Sequence, residues 1–257
     1  MYDIPTLWIA LGLLLGMFGA MFAGRVIGRR HPARDETETG QVTATQASIL
    51  GILGLLLGFT FSVALGRHDA RSAAVVSEAN AIGTAWLRTD LLNDPDTAKD
   101  LMRAYATERL RASTIPASLS EERDASLAQA EQTFAALWSE AARIVREAPN
   151  PATTAFANAL NDVIDELAAR DAAIDRHVPE VVLIMLYLTF LLSGGLLGYG
   201  SGVSRTRITA TALVMPVLIV SLVFVIIDLD RPRRGLIIVD QGPLIATVAA
   251  MEQRVVQ

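Results

Sequence analysis

The sequence predicts an all-α integral membrane protein, with four transmembrane helices in two pairs and a helical bundle inserted between the second and the third. Three observations predict it. Apolar segments at 6 to 24, 47 to 65, 179 to 200 and 208 to 227 carry no Asp, Glu, Lys, Arg or His apart from Glu180 at the edge of the third. Each is close to the ~20 residues that a helix needs to cross ~30 Å of hydrocarbon. The roughly 110 residues between the second and third segments have a soluble domain's mixture of charges and show helical periodicity without any strand-like alternation. The expected divisions are a first hairpin at 1–66, an insert at 67–178, a second hairpin at 179–230 and a short tail at 231–257.

The first segment has the length of a signal peptide, but the stub before it carries Asp3 and no Lys or Arg, and four arginines follow. An uncleaved anchor is expected. Arg25, Arg29, Arg30 and Arg34 after span 1, with Arg205 and Arg207 between spans 3 and 4, place those two loops in the cytoplasm by the positive-inside bias. The insert is then extracytoplasmic, although Arg231, Arg233, Arg234 and Arg254 lie on its side.

Small residues recur every four positions in span 1 (Gly12, Gly16, Ala20, Gly24, Gly28), span 2 (Gly54, Gly58, Ser62, Gly66) and span 3 (Gly194, Gly198, Gly202). A spacing of four keeps them on one helix face, where helices approach closely within a subunit or between subunits. Pro216 predicts a kink in span 4. Polarity inside the spans is confined to hydroxyls such as Thr60, Ser62, Thr189, Ser193 and Ser221. Proton-coupled transport needs an ionisable group at depth and voltage sensing needs a row of arginines, so both classes lose weight.

Span 2 ends without a breaker, and Val75, Ala79, Ile82 and Trp86 step by four, three and four, so its helix is expected to run on to about 92. Asn93-Asp94-Pro95 reads as a turn and a helix start with Asp94 as cap, followed by a helix to about 113. After Pro116, Ser118 and Glu121 form a capping-box pattern for a third helix with Leu127, Ala130, Phe134, Leu137, Ala141 and Ile144 inward. Pro149-Asn150-Pro151 closes it. A last helix presents Phe156, Leu160, Val163, Leu167, Ile174 and Val178 and is expected to run through Pro179 into span 3. The insert thus reads as a four-helix antiparallel bundle. Arg170 interrupts the apolar stripe of the last helix, so it either pairs with an acid of a neighbouring helix or binds a ligand.

The chain has no cysteine, no phosphate-binding glycine loop and no basic block, and its formal net charge is -5. No cofactor and no nucleic-acid partner is expected. His31, His68 and His177 are far apart in sequence; His68 and His177 with Asp69 and Asp175 form at most an interfacial cluster. An enzyme is the least supported class.

Two stretches carry a resemblance. E-A-N-A-I-G-T-A at 78 to 85, with Glu78 and Asn80, and L-D-R-P-R-R-G at 229 to 235, with Asp230, Arg231, Pro232 and Gly235, in this two-plus-two layout resemble the bestrophin-like domain family of bacterial membrane proteins. More distantly, L-G-F at 57 to 59 followed by Arg67 looks like the second helix of the bestrophins, pentameric anion channels with an apolar ring at the pore neck. The resemblance implies anion conduction with Phe59 or Phe61 at the neck; the leading expectation is a passive homo-oligomer in the inner membrane, with Arg67 and Arg71 attracting ions at the mouth, although arginines there are equally expected as interface anchors. It also implies a cytoplasmic insert, opposite to the charge bias, and the chain lacks the run of acids that forms the calcium clasp of animal members. The alternative is a membrane-anchored sensor or scaffold whose bundle binds a partner or small molecule. Asp230 is expected to pair with Arg67 or Arg71.

Overall fold

The computed structural model describes residues 6–31, 36–116, 118–206, 210–231 and 235–253. The stub with Asp3, as well as Arg34, Arg207, Pro232, Arg233, Arg234 and Arg254, lies outside them. The described residues form eight α-helices and no strand: α1 (Thr6–Arg30), α2 (Glu36–Thr89), α3 (Asp96–Thr114), α4 (Ser120–Glu147), α5 (Pro151–Asp175), α6 (Glu180–Val203), α7 (Ala210–Asp230) and α8 (Gly242–Gln253). Among the described residues, four helices are long and apolar enough to cross a membrane. The chain divides into two compact units, one from 1–67 and 177–237, the other from 68–176 and 238–257.

The first unit is built on α1 packed against α6. Gly24 and Gly28 lie against the backbone of Gly195, Tyr199 and Val203, and Gly202 lies against the backbone of Arg25 and Arg29. Met17 and Met21 sit over Gly194 and Gly198, where a Cβ would collide with the Met17 side chain and with the Met21 carbonyl. Helices without side-chain bulk at the crossing gain dispersion contacts that lipid cannot match. Gly16 touches only Leu191, and Gly12, Gly54, Gly58 and Gly66 have nothing near the position of a Cβ. The core is completed by Leu53 and Leu57 of α2, Leu186 and Phe190 of α6, and Val223 and Ile226 of α7. The Gln46 amide donates to the Leu196 carbonyl, and Gly200 leaves room for it. Two residues after α6, Arg205 takes a left-handed conformation (φ 53°) and gives its N–H to the Gly202 carbonyl.

The second unit takes the C-terminal part of α2 with α3, α4, α5 and α8. Ile82, Ala85 and Trp86 meet Met102, Tyr105 and Ala106, Leu137 and Ala141, and Phe156, Leu160 and Val163. The tail after 231 contains α8, whose Leu244, Val248 and Met251 enter this core, because three apolar residues at helical spacing cannot remain in water cheaply. At 54 residues α2 is about 80 Å long at ~1.5 Å per residue.

Three local expectations need correction. α5 does not run through Pro179: 176–179 is non-helical, since proline disfavours helical geometry in the residue before it. The Ser118–Glu121 capping box does not form. The Leu119 N–H bonds to the Pro116 carbonyl in a turn that delays α4 to Ser120. Asp94 does not cap α3 either: Pro95 is at the cap position and Asp96 supplies the negative charge in the first turn. Asn150 caps α5 instead, accepting from Ala152 N (2.8 Å) and Thr153 N (3.0 Å) in a reciprocal box with Thr153.

Candidate functional site

The residues expected at a neck and mouth all lie on α2. Phe59 is 64% exposed, on a side of the helix with Ile52, Leu55 and Val63, also exposed. Phe61 points differently and is half-buried against the core of the first unit. Arg67 is half-buried, and its Nε is buried without a hydrogen-bond partner. Arg71 is almost fully buried. Its guanidinium donates to the carbonyls of Ala173 (3.1 Å) and Arg176 (2.6 Å), where the last turn of α5 leaves carbonyls unpaired and the helix dipole is negative.

At the end of α7 the residues of the L-D-R-P-R-R-G stretch tie the first unit together. The Asp230 carboxylate accepts the Val178 N–H at 2.9 Å and lies 3.5 Å from His177 Nδ1, so it holds the residues just before α6. Arg231 Nη1 donates to Thr6 Oγ1 at the start of α1 (3.2 Å). The Asp228 carboxylate accepts the Ile237 N–H (2.8 Å) and occupies the space where a side chain at position 235 would be, which explains glycine there. Asp228, Asp230 and Arg231 are all buried.

The second unit contains a buried ionic cluster. Glu78 is fully buried; its Oε1 accepts from Arg109 Nε and Nη2, each at 2.8 Å, and its Oε2 accepts from Arg170 Nη1. Arg170 Nη2 also donates to Ser113 Oγ (2.9 Å) and Gln241 Oε1 (2.8 Å). One carboxylate thus joins α2, α3 and α5, and the amide of Gln241 brings in the turn before α8. Such a cluster is held by geometry: in low dielectric each charge is tolerable only while its partner is in place. Glu78 and Arg170 stood out in the sequence for different reasons. Arg109 did not, although it falls on the buried stripe of Met102, Tyr105, Ala106 and Ala112 as Arg170 does on that of α5. Asn80, two residues beyond Glu78, faces away and is exposed.

These features define a class: an all-helical membrane protein whose charged residues tie helices together at the ends of apolar spans and inside a helical bundle. The sequence model of the Bestrophin-like domain matches residues 10–244, and the chain belongs to that family. Solved structures that share its fold include variants of a bacterial bestrophin homologue from Klebsiella pneumoniae. One gives a TM-score of 0.67 at 16% identity, covering 98% of this chain and 97% of the other. Another gives 0.66 at 15% identity, with 97% of each chain covered. A further structure, described as a membrane protein, gives 0.65 at 14% identity over 96% of this chain and 97% of its own. No curated protein matches the sequence.

Proposed function

We propose that the protein is a homo-oligomeric, passive anion channel of the inner membrane, with two pairs of spans, the bundle inserted between them, and α2 next to the axis. The observation that carries this reading is the uncovered side of α2. Gly51, Gly54, Gly58 and Ser62 recur at helical spacing among exposed apolar residues, with no neighbour within the chain near the glycines. Lipid has no need of a glycine surface, whereas copies of one helix packed side by side around an axis do, and Phe59, about a quarter turn from that stripe, then faces the constriction. Phe59 is therefore the better neck residue of the two, since Phe61 is engaged in the core of its own subunit. Arg67 is the better mouth residue, since Arg71 is held by carbonyls at the end of α5.

The test is anion flux into liposomes carrying purified protein. Phe59→Ala is expected to change the flux several-fold with the oligomer intact. Phe61→Ala is expected to act through stability, because a truncated aromatic in a packed site costs about 3–5 kcal/mol when fully buried and less when half-buried. Intact oligomers without flux in wild type or either variant would refute the channel and favour a sensor or scaffold.

A further inference from the structure

The second unit contains a cavity of about 630 Å³ between α3, α4 and α5, within the size range of small-molecule sites. One stripe of α4 faces it, Leu127, Glu131, Phe134 and Trp138, spaced by four, three and four. α5 contributes Ile164, Leu167 and Asp171, spaced by three and four, and α3 contributes Tyr105 and Arg109. Each stripe thus follows the helical period, and those of α4 and α5 each interrupt an apolar run with one carboxylate.

Three features point to the ligand. Neither Glu131 nor Asp171 has an ion-pair or hydrogen-bond partner among the described residues, while Arg109 gives Nε and Nη2 to Glu78, which Arg170 shares, so two unpaired carboxylates stand against a cluster with one net positive charge. The walls carry three aromatic rings, those of Tyr105, Phe134 and Trp138, with the first two packed at a centroid distance of 5.1 Å. The Tyr105 hydroxyl is buried without a hydrogen-bond partner, and burial raises its pKa well above the usual tyrosine range, so it remains a neutral donor and acceptor. An unsatisfied buried hydroxyl costs about 1–3 kcal/mol unless a bound group meets it.

We propose that this cavity binds an organic ammonium ion with an apolar, preferably aromatic, body. The two carboxylates attract the cation, the rings stabilise it by cation–π attraction, Leu127, Ile164 and Leu167 receive its apolar body, and the Tyr105 oxygen accepts an ammonium N–H. An organic anion would meet two unpaired carboxylates, against the single net positive charge of the Glu78–Arg109–Arg170 cluster.

The experiment is calorimetric titration of the full-length protein in detergent with 2-phenylethylammonium at neutral pH, with phenylacetate as the anionic counterpart. Saturable binding of the amine and none of the acid is expected. Glu131→Gln with Asp171→Asn should weaken it at least tenfold, and Tyr105→Phe about threefold or more, with helix content and melting temperature unchanged in the carboxylate variant, whose substituted side chains are exposed. Four results would overturn the proposal: no saturable amine binding, equal binding of amine and acid, affinity indifferent to the carboxylate substitutions, or dissociation of the oligomer by the amine. The last would assign the cavity to a second copy. None of these readouts depends on conduction, so this site and the channel stand or fall separately.

Discussion

Replacing Glu78 by alanine leaves the guanidinium groups of Arg109 and Arg170, 5% and 4% exposed, without their shared carboxylate. Arg170 keeps Ser113 and Gln241, which are neutral, whereas Arg109 loses both bonds that it makes to Glu78. Breaking a buried pair in this way costs about 3–5 kcal/mol, because the partner charge remains desolvated. For a chain of this size each kcal/mol moves the melting temperature by about 2–4 °C, so a decrease of roughly 6–20 °C is expected. Glu78→Gln keeps the shape and one acceptor but turns an amide N–H toward an arginine, and it should lose more than half as much. Replacing all three together, Glu78→Leu, Arg109→Met and Arg170→Leu, should recover most of the loss, since an apolar core of similar volume needs no compensating charge. Thermal unfolding of the full chain in detergent, followed by circular dichroism, gives the comparison. A shift of less than about 2 °C for Glu78→Ala would refute the reasoning, because a 0% exposed carboxylate holding two arginines cannot be dispensable if the cluster organises the unit.

Other substitutions separate the remaining ideas. Gly198→Ala places a Cβ against the Met21 backbone and should destabilise the α1–α6 contact by about 1–3 kcal/mol. Gly54→Ala and Gly58→Ala meet nothing within the chain, so a change in oligomer size on gel filtration without loss of monomer stability would assign that face to another subunit. Asn150→Ala removes the acceptor for two N–H groups at the start of α5 and should cost about 1 kcal/mol in thermal unfolding. Orientation is open to a reporter fused within the insert. When arginines near the span ends on the insert side are counted too, Arg67, Arg71, Arg170 and Arg176 join Arg231, Arg233 and Arg234 and outnumber the six of the opposite loops, so activity of a cytoplasm-dependent reporter is the expected outcome. Activity of an export-dependent reporter would instead support the extracytoplasmic insert.

Much of the architecture was legible because it depends on quantities that add along the chain. Hydropathy summed over about twenty residues marks a span, and a three-four spacing of Ala, Leu and Ile marks the buried face of α4, with no knowledge of the partner. Helix boundaries were harder. At Ser118 and Asp94 the favourable cap chemistry was present, but Pro95 takes the cap position of α3 and a turn at Pro116 precedes α4, so each start moved by one residue. α8 is short, at 12 residues, and its apolar stripe had no neighbour to suggest until the fold provided one.

What the sequence by itself determined is the class of protein, the number of apolar spans and the helical character of residues 67–178, since these follow from local solvation and periodicity. It also singled out Glu78, Arg170, Asp230 and Gly235, offering an acid of a neighbouring helix or a ligand for Arg170 and Arg67 or Arg71 for Asp230, and no partner for Glu78 or Gly235. Only the tertiary structure decided that Glu78 serves Arg109 and Arg170, that Gly235 makes way for Asp228, that Phe61 is half-buried against the core while Phe59 is open, and that Arg71 caps α5. The physical reason is that a charge or a missing side chain has meaning only through what lies within a few ångströms of it. Residues 31, 92 or 71 positions apart in sequence, as Glu78–Arg109, Glu78–Arg170 and Arg170–Gln241 are, become neighbours only when helices pack.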